Sequence, residues 1–89
     1  TAVLVQWPRE NMWTIAFITG TPGGGVEQYL PADCVSVYVP TTPNPTGGYF
    51  VMLRKSDCIE LAMSVDEALK YIVSMGVVVP GGPANPNVK

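Results

Sequence analysis

Apolar and polar positions alternate along much of the chain, then shift to a single helical stripe near its end. Ala2 to Trp7 reads as a strand, with Val3, Val5 and Trp7 on one face and Leu4 and Gln6 on the other. Pro8-Arg9-Glu10-Asn11 supplies turn chemistry, because proline presets φ and asparagine tolerates left-handed geometry. Met12 to Thr19 is apolar on both faces, Trp13, Ile15 and Phe17 opposing Met12, Ala16 and Ile18. The pattern predicts a hairpin whose second strand lies mid-sheet, covered on both sides. Gly20 to Gly25 has nothing to bury and predicts a mobile loop.

Val35, Val37 and Val39 alternate with Ser36 and Tyr38, and Tyr49 to Leu53 predicts a partner strand after a long turn. Arg54-Lys55-Ser56-Asp57 sets off a short strand at Cys58 to Leu61. The best-marked element is a helix over Val65 to Met75. Ser64 and Glu67 have capping-box spacing, Val65, Ala68, Leu69, Ile72 and Val73 form the apolar stripe, and Asp66 and Lys70 make an outward i,i+4 pair. Gly76 is placed to be the left-handed residue that ends it, and Val77 to Val79 predicts an edge strand.

These elements predict an α+β fold: about five to six mostly antiparallel strands in a curled sheet or small barrel, with the helix on one face. One helical stripe covers one face of a sheet that is apolar on both. The other face then needs the sheet to curl upon itself or a second copy of the domain. Residues 1–79 suffice for a single core, whereas from Pro80 the composition, Pro-Gly-Gly-Pro-Ala-Asn-Pro-Asn, predicts a disordered tail over residues 80–89.

Charge changes this picture. Charged residues make up 13% of the chain, against about 25% in ordinary domains, so little charge is on hand to coat the outside. Either apolar surface is met by a partner subunit, a neighbouring segment or lipid headgroups, or Ser, Thr, Asn, Pro and Gly do the coating. A net charge of −2, with Arg54-Lys55 as the sole adjacent basic pair, excludes an electrostatic footprint for nucleic acid and a polybasic lipid anchor. No apolar run reaches the ~18 residues needed to span a bilayer. The opening Thr1-Ala2-Val3-Leu4 lacks the cationic lead of a signal peptide and enters a strand directly, so we expect a piece of a longer protein.

The candidate chemistry is sparse. Without histidine the chain lacks the usual general base near neutral pH and the commonest metal ligand, so no catalytic, cofactor-binding or metal site is expected and the chain does not read as an enzyme. Cys34 and Cys58 are too far apart for a redox pair or half a zinc knuckle. They read as two small reduced thiols, or, if bonded, as a loop closure worth roughly 3 kcal/mol. Gly23-Gly24-Gly25 is followed by Val26-Glu27, where a phosphate loop needs Lys-Ser/Thr. Asp57 and Glu60 fit a strand end and a solvent face. Asn44-Pro45-Thr46 is barred from glycosylation by its proline.

One segment stands apart. Pro40, Thr41, Thr42, Pro43, Asn44, Pro45, Thr46, Gly47 and Gly48 join two strands with three prolines and no charge. Prolines fix φ and restrict the residues before them, so the loop is expected to be rigid and preformed. It is either a contact surface offering hydroxyls and carbonyls to a neutral ligand or partner chain, or a stiff connection packed on its own domain.

On this loop, on Ile59-Glu60-Leu61-Ala62-Met63-Ser64-Val65-Asp66-Glu67-Ala68-Leu69-Lys70, and upstream on Val3 to Arg9 and Trp13 to Gly20, the sequence resembles the COV-like family. That family is named for the plant continuous-vascular-ring proteins and is otherwise a domain of unknown function. Trp7, Asn11 and Cys58 depart from its commoner Tyr, Gly and aliphatic residues. The resemblance implies the water-exposed C-terminal domain of an integral membrane protein. Two membrane helices would precede it, and it would lie on the cytoplasmic side of the bacterial inner membrane, where free thiols are expected. It transfers no residue roles. Together with the low charge, it leads us to expect a non-catalytic domain for self-assembly or protein–protein interaction at the membrane, as a homo-oligomer or beside a membrane-protein partner. The alternative is a ligand-sensing or pore-associated domain of a transporter or channel.

Overall fold

The computed structural model describes residues 1–80. Five strands, β1 (Ala2–Gln6), β2 (Trp13–Gly20), β3 (Cys34–Pro40), β4 (Gly48–Arg54) and β5 (Ile59–Glu60), precede one helix, α1 (Val65–Val73). All pairings are antiparallel, in the order β4-β3-β2-β1-β5. The α+β expectation holds, and β2, apolar on both sides, is the central strand.

The turn between β1 and β2 forms as its residues require. Trp7 N–H donates to the Met12 carbonyl at 2.8 Å. Asn11 takes the left-handed conformation with φ 69° while its amide donates to Gln6 Oε1 at 2.6 Å. A feature the sequence did not announce follows β2: the glycine run leads into a short 3-10 turn at Val26–Tyr29. Gly24 and Gly25 enter it at positive φ, and the Glu27 carboxylate accepts from the Gly25 amide.

The expected curl into a barrel is not made, and the sheet stays open. Its edge strands β4 and β5 do not pair. β5 reaches only Val3 and Leu4 of β1, too short a ladder to hold a closing seam. The valine face is nevertheless not bare. Val3, Val5, Ala16 and Val37 are each at most 1% exposed. They are covered by the larger Trp7, Ile18, Val51, Leu53 and Cys58 of the same face rather than by a helix. Sheet twist of roughly 20–25° per strand pair is compatible with large side chains at the rim leaning over the small valines and Ala16 between them. The Trp7 ring meets Tyr49 of β4 with centroids 4.8 Å apart, although two strands lie between them.

The other face carries α1. Ala2, Phe17 and Ala68 are buried there, flanked by Ile15, Tyr38, Leu61, Met63, Leu69 and Ile72. Alanine on both the strand and the helix side allows close approach. The capping box is complete: Ser64 Oγ accepts from the Glu67 amide at 3.0 Å, and Glu67 Oε1 accepts from the Ser64 amide at 2.9 Å. The Asp66–Lys70 pair closes at 3.4 Å but is exposed on both sides, so it adds little.

The helix ends at Val73, two residues before the expected Met75. Gly76 N–H donates to the Tyr71 carbonyl and Met75 N–H to that of Ile72, a Schellman closure. In that geometry Met75, at φ 55°, occupies the left-handed position expected for Gly76, which follows at φ 88°. Val77 to Val79 form no strand. Ser74 holds the Val78 amide through its hydroxyl at 2.8 Å, which folds the segment back on the helix end instead of along the sheet. Of the expected tail, residues 81–89 lie outside the described residues.

Candidate functional site

The loop between β3 and β4 is organised around Tyr38. Its ring lies over Gly48: a Cβ built there would come 2.5 Å from Tyr38 Cε1 and 2.4 Å from the Val39 carbonyl oxygen. Glycine lets the tyrosine reach across the loop. Its hydroxyl sits between the carbonyls of Pro45 at 2.5 Å and Gly47 at 2.8 Å. A phenol has one proton, so it serves one of them at a time, and the Thr41 amide also donates to Gly47 O at 2.9 Å.

The threonines turn inward. Thr41 Oγ1 lies against the carbonyls of Asn44 and Gly47, and Thr46 Oγ1 donates to Asn44 Oδ1 at 2.7 Å. Thr42 Oγ1 reaches across the domain to the Ile72 carbonyl in the last turn of α1. The hydroxyl donors that the sequence offered to a ligand are thus engaged within the domain, and the loop is rigid because it is bonded to itself. Replacing Tyr38 with Phe is expected to destabilise the domain by about 1 kcal/mol, the worth of one such bond. Urea unfolding measures it, and loss of ordered amide signals from Asn44 to Gly47 would accompany it.

The Thr42 contact draws the loop against the helix and frames a groove of about 480 Å³. Leu4, Trp13 and Ile15 form its sheet wall, Pro40 and Thr42 its loop wall, and Tyr71, Ile72 and Met75 its helix wall. Among the described residues no charged side chain lines it. Trp13 is 52% and Met75 67% exposed at its rim. Periodicity placed Trp13 among core residues of a central strand. It stands at the strand's start, beyond the end of the helix that covers Ile15 and Phe17. The groove's other members come together only through topology, and no local signal announced them.

A second cavity, of about 400 Å³, opens on the valine face with Lys55, Cys58 and Glu60 along it. Both cysteines are free, Cys34 buried and Cys58 half-buried. Burial pushes the Cys58 thiol above its ordinary value, and the adjacent Asp57 carboxylate pushes it the same way. A thiol so held stays protonated at neutral pH and is a poor nucleophile. Asp57 lies in a 3-10 turn after β4 and Glu60 on the edge strand β5, on separate elements. Among the described residues no cluster of three or more Cys, Asp or Glu side chains is arranged to hold a metal ion. No helix among them is long and apolar enough to cross a membrane.

An open five-stranded antiparallel sheet, one capped helix and an uncharged groove under a self-bonded proline loop define the domain. The model of a family described as protein of unknown function (DUF502) matches residues 1–47, from β1 through that loop to Gly47, and the chain belongs to this family. No curated protein and no solved structure matches it.

Proposed function

We propose that this is a non-catalytic domain of an integral membrane protein, serving self-assembly or protein–protein contact on the cytoplasmic side of a bacterial inner membrane. The observation that carries the reading is the groove. Its walls are apolar and uncharged, and large apolar residues stand exposed around it, Trp13 and Met75 at the rim and Val77 and Val78 just beyond. Such a surface gains by meeting another apolar surface, and the polar side chains along it, Thr14, Thr42 and Tyr71, carry no charge. The resemblance to COV-like proteins supports the membrane setting, and the free thiols agree with a reducing compartment. Sedimentation of the intact protein in mild detergent tests the reading. An oligomer or a stable complex is expected, whereas a monomer that cross-links to no other chain overturns it.

The groove also favours a second reading, a ligand-sensing or pore-associated domain, because Pro40 and Thr42 form one of its walls. Saturable amide shifts at Thr41, Thr42 and Asn44 on titration with lipid headgroups or metabolites would select it. The engaged threonine hydroxyls weigh against it, since a ligand would first have to displace Thr42 from the helix.

A further inference from the structure

Among the described residues strand β4 is an edge of the sheet, seven residues in unbroken register with β3 from Gly48 opposite Pro40 to Arg54 opposite Cys34. Its hydrogen-bonding parity follows from the pairs just beyond each end. Thr41 N–H donates to Gly47 O, and Lys55 N–H to Asp33 O, so residues of this parity bond across the β3–β4 seam. Antiparallel pairs alternate. Tyr49, Val51 and Leu53 therefore bond to β3, while the N–H and C=O groups of Gly48, Phe50, Met52 and Arg54 point away from it. The Cys58 thiol agrees, meeting the Arg54 carbonyl at 3.6 Å from outside that seam.

Edge strands are ordinarily blunted by lysine, proline, a bulge or short length. β4 has none of these between Gly48 and Leu53, and Phe50 is 68% and Tyr49 54% exposed. The opposite edge, β5, is two residues long and ends in Glu60.

We propose that β4 pairs antiparallel with β4 of a second copy of this chain, about a two-fold axis at Val51. The inference rests on the reading of the domain as an assembly unit and places two copies at an edge separate from the groove, which stays open to a further apolar partner. Val51 is the midpoint of the strand, so this register uses its whole length. Phe50 then faces Met52 of the other copy, and Gly48 faces Arg54, all four with outward backbone groups, which completes the missing half of the ladder. Tyr49 faces Leu53 on the valine face. Apolar thus meets apolar at the Phe50–Met52 and Tyr49–Leu53 pairs, with Arg54 at the two ends of the seam. The two Arg54 side chains stand roughly 20 Å apart, about six residues of extended strand. An antiparallel pairing of identical strands is closed by its symmetry, and the short β5 edge gives it no route to grow further.

Val51→Cys tests the register. Its two copies would face each other in a non-hydrogen-bonded pair with Cα atoms about 4.5 Å apart, inside the range a disulfide spans. Under copper-phenanthroline oxidation the intact protein bearing Val51→Cys is expected to run mostly as a disulfide dimer. Tyr49→Cys, whose copies would lie about four residues, or roughly 13 Å, apart, is expected to match the wild-type chain, which controls for Cys34 and Cys58. Met52→Pro removes a donor that β3 does not use, and is expected to weaken self-association roughly tenfold; exposed Phe50→Lys, which does not touch the ladder, is expected to act in the same direction if proline perturbs the fold. If the protein self-associates but Val51→Cys does not cross-link and Phe50→Lys changes nothing, this interface is wrong and the assembly reading stands. If the protein is monomeric throughout, both fall.

Discussion

Gly48→Ala is expected to destabilise the domain by roughly 2–3 kcal/mol, toward the upper end of what overpacking costs. The added methyl would lie 2.4 Å from a backbone oxygen, that of Val39, and 3.0 Å from Pro40 Cα. Backbone in a paired ladder yields less readily than the tip of a long side chain. Tyr38 would have to swing off as well, and its hydroxyl would leave the Pro45 and Gly47 carbonyls. The neighbouring Gly47→Ala is the control. Its Cβ would meet nothing nearer than Thr41 Oγ1 at 3.6 Å, an ordinary contact, so a change within about 0.5 kcal/mol is expected there. Urea denaturation of both variants measures the difference. Equal midpoints would show that the tyrosine does not pack on Gly48 as described.

Ala68→Asp carries the second large effect. Ala68 is fully buried where α1 meets the sheet, in a cluster with Ala2 and Phe17 whose flanking Tyr38 hydroxyl is already engaged with the Pro45 and Gly47 carbonyls. A carboxylate there loses its hydration without a partner, and a loss of about 3 kcal/mol or more is expected, felt first as release of the helix. The effect depends on pH with a definite sign. Burial raises the introduced carboxyl's folded-state pKa above its unfolded value of about 3.9. Below that value it is neutral in both states and the penalty is smallest. As pH rises toward the folded-state pKa the folded form holds more protons than the unfolded one, so stability falls. Thermal or urea unfolding of the variant relative to wild type should therefore show the deficit widening from acid toward neutral pH. A deficit that does not change with pH would mean the side chain escapes to water.

The fold was legible where local rules decide it. Period-two patterning found the long strands, the capping spacing of Ser64 and Glu67 fixed the helix start, and the apolar run of β2 placed it at the centre. The errors fall where one residue's neighbours in space outweigh its neighbours in sequence. Val77 to Val79 have strand composition, but Ser74 captures the Val78 amide. Gly76 looked like the helix terminator, yet the bonding frame puts Met75 in that role. The valine face was expected to need a curl or a second copy, because one-dimensional patterning does not show that Trp7 meets Tyr49.

The candidate site was half legible. The loop's rigidity follows from its prolines and its bonding to Tyr38, and both belong to β3 and the residues just after it. Its partner wall does not. Tyr71, Ile72 and Met75 lie some thirty positions along the chain, and nothing in their local pattern links them to Thr42.

That same Thr42 bond is a stitch between the proline loop and the far end of the helix. Chain segments thirty positions apart are fastened hydroxyl to carbonyl; the Ile72 carbonyl is shared with the Met75 amide, and its neighbours Lys70 and Tyr71 already accept from Ser74 and Gly76. Fraying of the helix end would therefore release this tie on the proline loop, and loosening of the loop would free one acceptor of the helix end.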